Sequence, residues 1–417
     1  MTTISPAHTA SPKAGLSAPA ALPASKRDPR LDFYRGIAMF IILFAHTPGN
    51  FFTSWIPARW GFSDATEIFV FCSGMASAIA FGRTYDRAGW TLGTARVGFR
   101  VWQVYWAHIA MFFTIAMMLS LWDSTGLFDK NYTNSLNLVP FFREPAQNII
   151  GLFTLTYVPN YFDILPMYLA ILVMMPLVMA LSRISVPLTF AVIATVWLFA
   201  QGRLLAGLGA EHMALNFPAE PWSAREWFFN PFGWQLIFFT GFAFMRGWIP
   251  APPVTGWLIA LAAVIVLANV PLSNIGIREF GFRWALEWRI DNKGWINKSD
   301  FGILRYVHFL ALAYLAWVVA GQGGHRLMAS GAGLGARIWD RVVTVIMKVG
   351  QQSLAVFVFS MVFARIAGFV LDQIGRSTLK TSLVNVAGIA ALIAVAYFVA
   401  WIKTQPWRVR KSGAGAI

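Results

Sequence analysis

Two ionisable residues separated only by apolar and small ones are the first chemistry this sequence offers: Arg35 and His46, at the ends of RGIAMFIILFAH. On a helix they share a face, roughly 16 Å apart along the axis. A guanidinium at a membrane edge and an imidazole about halfway down a ~30 Å hydrocarbon core are expensive to place, and ionisable groups so placed usually face a cavity and do work. A neutral imidazole is suited to taking a proton from a hydroxyl. The competing reading makes Arg35 a charge anchor and His46 a hydrogen-bonded packing residue, and this helix alone does not choose between them.

Further along, SDATEIFVFCSG opens a second apolar run with Asp64 and Glu67 at its start. Their spacing fits a capping box, with Asp64 as N-cap and Glu67 three residues on. Glu67 also lies one turn into the run, at a depth like that of His46. There it is expected to meet the imidazole if the helices are neighbours, orienting the ring and raising its basicity. Asp163 in PNYFDILPMYL and the pair Trp234 and Gln235 in NPFGWQLIFF are candidates for holding a sugar, each with a cap or interface-anchor alternative. Arg305 and His308 in LRYVHFLALAY are three apart and share a helix face. Snorkelling accounts for Arg305 more easily than for His308. No HExxH-type spacing is present and no metal site is expected.

The elements that must position these residues follow from composition. A chain of 417 residues that is 57% hydrophobic and 12% charged, with mean hydropathy +0.59, is not a soluble globule. It reads as an all-α, polytopic transmembrane helical bundle. About ten spans are expected, near 33–52, 65–82, 99–121, 163–181, 186–201, 231–247, 254–271, 302–320, 346–370 and 382–402. With both termini cytoplasmic, the cytoplasmic loops collect Arg83, Arg87, Arg96, Arg100, Arg183, Arg246, Arg326, Arg337 and Arg341, while the outer loops are longer, mixed in sign and aromatic. The net charge of +15 is therefore explained by loops against a bilayer, without nucleic acid. Residues 1–27 read as a disordered cytoplasmic tail, 28–402 as the membrane domain and 403–417 as a basic cytoplasmic tail. The single cysteine, Cys72, excludes an internal disulfide and reads as a small buried hydrophobe.

The string RLDFYRGIAMFIILFAH resembles the opening motif of the type-3 membrane acyltransferase superfamily, and EIFVFCSG resembles its second-helix motif. More narrowly, YFDILPMY, NPFGWQLIFF, LRYVHFLALAY and QSLAVF are similar to the OpgC family, succinyltransferases that decorate osmoregulated periplasmic glucans. The resemblance runs from about residue 28 to 402. It implies a multi-pass protein of the bacterial inner membrane that uses acyl-CoA, with succinyl-CoA the implied donor, as co-substrate and holds no permanent cofactor. It implies phosphate contacts for Arg30, Arg35, Arg83 and Arg100, and His46 with Glu67 as the catalytic pair acting on a glucan hydroxyl. Asp163, Trp234, Gln235, Arg305 and His308 are then the expected acceptor-side residues. Acetyl or other O-acyl transfer to a different extracytoplasmic glycan, or secondary transport, stands as the alternative.

Overall fold

The computed structural model describes residues 28–408. The expected tail at 1–27 and most of that at 403–417 lie outside the described residues. The described residues form helices joined by loops, with no strand among them. The helices that frame the site are α1 (Pro29–His46), α2 (Ala65–Ser77), α3 (Arg83–Ser124), α4 (Pro145–Thr154), α5 (Ile164–Ile184), α6 (Val186–Phe199), α7 (Pro231–Arg246), α8 (Gly256–Asn269), α9 (Arg283–Asp291), α10 (Ile303–Ala320), α11 (Leu334–Gln351), α12 (Ser353–Ile374) and α13 (Thr378–Lys403).

Six helical runs among the described residues are long and apolar enough to cross a membrane: Ala65–Ser124, Ile164–Ile184, Gly256–Arg278, Ile303–Ala320, Ser353–Ile374 and Thr378–Lys403. The chain is thus a membrane protein of several apolar helices. The run of 60 residues contains two of the expected spans. Gly89, at φ 80 and ψ 179, breaks it, and beyond the break Thr94 meets the Tyr85 hydroxyl at 3.2 Å while Arg96 donates to Thr84 at 2.8 Å. The chain therefore turns back on itself there. Helix α1 has the length of a span but carries Arg30, Asp32 and Arg35 in its first two turns, and α7 has only 16 residues.

Two expected boundaries are corrected. The first helix stops at His46 rather than running to 52, because Thr47 precedes Pro48 and takes an extended conformation (φ −74, ψ 111). His46 is therefore the last residue of its helix rather than one buried in its middle. The span expected at 346–370 is two helices, broken at Gln352 between α11 and α12.

Close packing at small residues fixes α1 and α2. A Cβ on Gly36 would fall 2.0 Å from the Ile346 carbonyl oxygen, and one on Gly350 would fall 1.9 Å from that of Asp32, so α1 and α11 touch backbone to backbone. Gly74 of α2 and Gly241 of α7 meet the carbonyls of Phe238 and Phe71 in the same way, at 1.9 and 2.3 Å. Without a hydrophobic drive between helices in lipid, such approach is how membrane helices gain packing.

Candidate active site

His46 ends α1 half-buried, and its ring is held from two sides. Its Nδ1 lies 2.8 Å from the Ile42 carbonyl of the preceding turn. Tyr161 packs against the ring edge-on, with centroids 5.4 Å apart. Tyr161 is itself fixed: φ is +87, its hydroxyl donates to the Met361 carbonyl at 2.7 Å, and the Arg365 guanidinium lies 3.9 Å over its face. The imidazole opens on a cavity of about 520 Å³ that is also lined by Thr47, Asn50, Arg59, Asp64 and Lys298. A carbonyl only accepts, so Nδ1 carries the hydrogen and Nε2 is left as an acceptor.

Asp64 and Glu67 form the expected capping box at the start of α2: Thr66 donates its backbone N–H to Asp64 at 2.8 Å, and Asp64 donates its own to Glu67 at 2.7 Å. The expectation that Glu67 orients His46 is corrected. Its Oε1 accepts from Nε and Nη2 of Arg305 at 2.9 and 2.5 Å, with both side chains buried, so α2 and α10 are tied by an ion pair. The carboxylate that shares the His46 cavity is Asp64, which accepts from Lys298 at 2.5 Å and stands 3.6 Å from Arg305. Burial works against its charge, but Lys298 and Arg305 together hold the Asp64 carboxyl well below the usual carboxylate range.

Lys298 reaches Asp64 from a loop held at almost every carbonyl. Trp234 donates to the carbonyl of Lys298 at 3.0 Å, the Asn230 backbone N–H to that of Ser299 at 3.0 Å, Gln201 to that of Asp300 at 2.7 Å and Trp197 to that of Phe301 at 2.9 Å. Phe301 takes the left-handed conformation at φ +57 to permit this. Gly233 is required beneath it, since a Cβ there would meet the Asp300 carbonyl at 2.2 Å. The loop is thus preorganised before any ligand arrives.

The remaining acceptor-side expectations are mostly redirected. Trp234 is fully buried against Phe229 and Phe301 and serves as a strut for the loop, with no face open to a sugar. Gln235 is buried and donates to the Ile193 carbonyl at 2.8 Å, a tie between α7 and α6. His308 is wedged among residues 61–63: Ser63 donates its backbone N–H to Nδ1 at 3.3 Å, and a Cβ on Gly61 would fall 2.3 Å from Nε2. Arg305 lines a second cavity while its guanidinium is engaged by Glu67. Asp163 is buried and lines neither cavity, though the loop that carries it also presents Tyr161 to His46.

The four arginines expected at phosphates lie away from both cavities. Arg30 is folded back on its own N-cap, with Nη2 2.6 Å from Asp28, and donates to the Gly321 carbonyl at 3.2 Å. Arg35 is half-buried, Arg83 is exposed where α3 begins, and Arg100 donates to Gln103 at 3.2 Å. Sequence reasoning missed Tyr161, Arg365 and Lys298 as neighbours of His46. Tyr161 stands two residues before Asp163 in a motif already singled out, whereas nothing distinguishes Lys298 from a solvated loop lysine.

Neither a curated protein nor a solved structure matches the chain. The family described as OpgC protein matches residues 27–404, nearly the whole chain and the whole of the site built above. Such membership implies acyltransferase activity in general. The chain belongs to the OpgC family.

Proposed function

We propose that this protein is an O-succinyltransferase of the bacterial inner membrane, moving a succinyl group from cytoplasmic acyl-CoA to hydroxyls of periplasmic glucans. The observation that carries the chemistry is the 2.8 Å contact of His46 Nδ1 with the Ile42 carbonyl, which leaves Nε2 as a proton acceptor in a ligand-sized cavity. In the step we infer, Nε2 takes the proton of a glucan hydroxyl as its oxygen bonds to the succinyl carbonyl carbon. The thioester C–S bond then breaks, and the proton passes to the departing thiolate.

The reading assigns ten spans with both termini cytoplasmic, so that the His46 cavity and the 272–301 loop face the periplasm. Arginines at the opposite ends of the helices support this sidedness: Arg246 at the end of α7 pairs with Asp86 at 2.6 Å, beside Gly82. Acyl-CoA phosphates would meet Arg35, Arg83 and Arg100 at that face. Mass spectrometry of periplasmic glucans from cells with and without the protein tests the function. Succinyl units that appear only with the protein support it, other acyl units contradict the succinyl assignment, and unchanged glucans contradict the glucan acceptor.

A further inference from the structure

The second cavity, of about 550 Å³, is lined by Arg289, Lys293, Lys298 and Arg305 against a single carboxylate, Asp64. Lys298 is answered by Asp64, and Arg305 by Glu67. Arg289 and Lys293 have no carboxylate partner among the described residues. Arg289 donates to the Leu272 carbonyl at 2.8 Å and lies 5.9 Å over the Phe62 ring, contacts that hold it in place without neutralising it. Burial, and then the neighbouring Arg305 charge, pull its guanidinium below its ordinary value. Half-buried cations gathered around one cavity repel one another unless an anion comes between them. Lys293 is exposed at the rim and gives such an anion its way in. The cavity adjoins the one at His46 through Ala58, Asp64, Asn274 and Lys298, which line both.

We propose that this second cavity is a carboxylate-binding pocket, with Arg289 and Lys293 supplying the uncommitted charges and Lys298 marking its border with the His46 cavity. Two sources fit that chemistry: the free carboxylate of a dicarboxylic acyl group held at His46, or an anionic substituent on the glycan acceptor. Assigning either source rests on the acyl-transfer reading, whereas anion binding itself does not.

The test titrates free succinate into the purified full-length protein by calorimetry at low salt, with uncharged succinamide as control. Succinate should bind and weaken as salt rises, and succinamide should not bind. Arg289→Gln should weaken succinate about tenfold or more, the loss of one charge-assisted contact. Lys293→Gln, at an exposed residue whose side chain makes no hydrogen bond among the described residues, should weaken it in the same direction with an unchanged melting temperature. Absence of saturable succinate binding, or binding that both variants leave intact, would overturn the pocket. Turnover then separates the sources. If the acyl carboxylate is held, Arg289→Gln raises KM for succinyl-CoA and spares acetyl-CoA. If the acceptor is held, both donors suffer alike with an anionic glucan and neither does with a neutral one. Turnover spared in every combination would overturn the assignment to substrate. Succinate binding by a protein that transfers no acyl group would count against the proposed function and leave the pocket standing.

Discussion

Asp64 and Lys298, 234 residues apart in sequence, meet at 2.5 Å in the partition between two cavities, one opening on His46 and the other on Arg289 and Arg305. Each partner is fixed by its own element: Asp64 by capping α2, and Lys298 by a loop whose carbonyls are held by Trp197, Gln201, Asn230 and Trp234. The wall between the two cavities is thus fixed by backbone geometry on either side.

Tyr161 is the direct support of His46. Tyr161→Phe keeps the ring and loses one hydrogen bond to Met361, at about 1 kcal/mol, so turnover should be close to normal. Tyr161→Leu removes the ring that packs against the imidazole and underlies Arg365, and kcat should fall by about tenfold or more through lost orientation. Steady-state assays on purified variants check this, and a Leu variant with wild-type kcat would dismiss Tyr161 as a positioning residue.

The buried pair of Glu67 and Arg305 makes its prediction in stability. Glu67→Ala leaves Arg305 with only Asp64 at 3.6 Å, and breaking such a pair costs about 3–5 kcal/mol. Thermal unfolding in detergent should show a clear drop in melting temperature, with the milder Glu67→Gln variant between it and wild type. If Glu67 served His46 directly instead, the loss would appear in kcat of a protein that melts normally.

Much of this was legible in the sequence, for identifiable reasons. Apolar runs of span length and the capping-box spacing of Asp64 and Glu67 encode local or one-helix properties, and the start of α2 follows from them. What was not legible depends on partners distant in the chain. Spacing gives the depth of Glu67 along its helix but not that Arg305 stands opposite it. Trp234 and Gln235 looked like a sugar platform because an aromatic beside an amide reads the same whether it faces a ligand or, as here, a loop and a neighbouring helix. The end of α1 at His46 was visible in Thr47-Pro48, a signal outweighed by the hydrophobicity that continues past it.

Packing offers an independent check. Gly74→Leu would drive a side chain into the Phe238 backbone, where a Cβ already lies 1.9 Å from the carbonyl oxygen. Overpacking against backbone that cannot yield should cost about 3 kcal/mol or more. Loss of folded protein by size-exclusion chromatography is the expected result, and a monodisperse, active variant would contradict the closeness of α2 and α7.

Sidedness is tested by reporter fusions. Fusions within 122–162, 202–230 and 272–301 should report the periplasm, and those near 83–96 and 326–341 the cytoplasm. The reverse pattern would place the His46 cavity on the side of the donor.

The most direct measurement is the turnover of His46→Gln. Glutamine keeps hydrogen-bonding capacity near the Ile42 carbonyl but cannot take up a proton at neutral pH, so the roughly 10²–10⁴-fold contribution of a general base should be lost. The variant's melting temperature and succinate binding should hardly move. Rates of glucan succinylation at wild-type level from well-folded His46→Gln protein would contradict the account, leaving His46 a packing residue at the end of its helix.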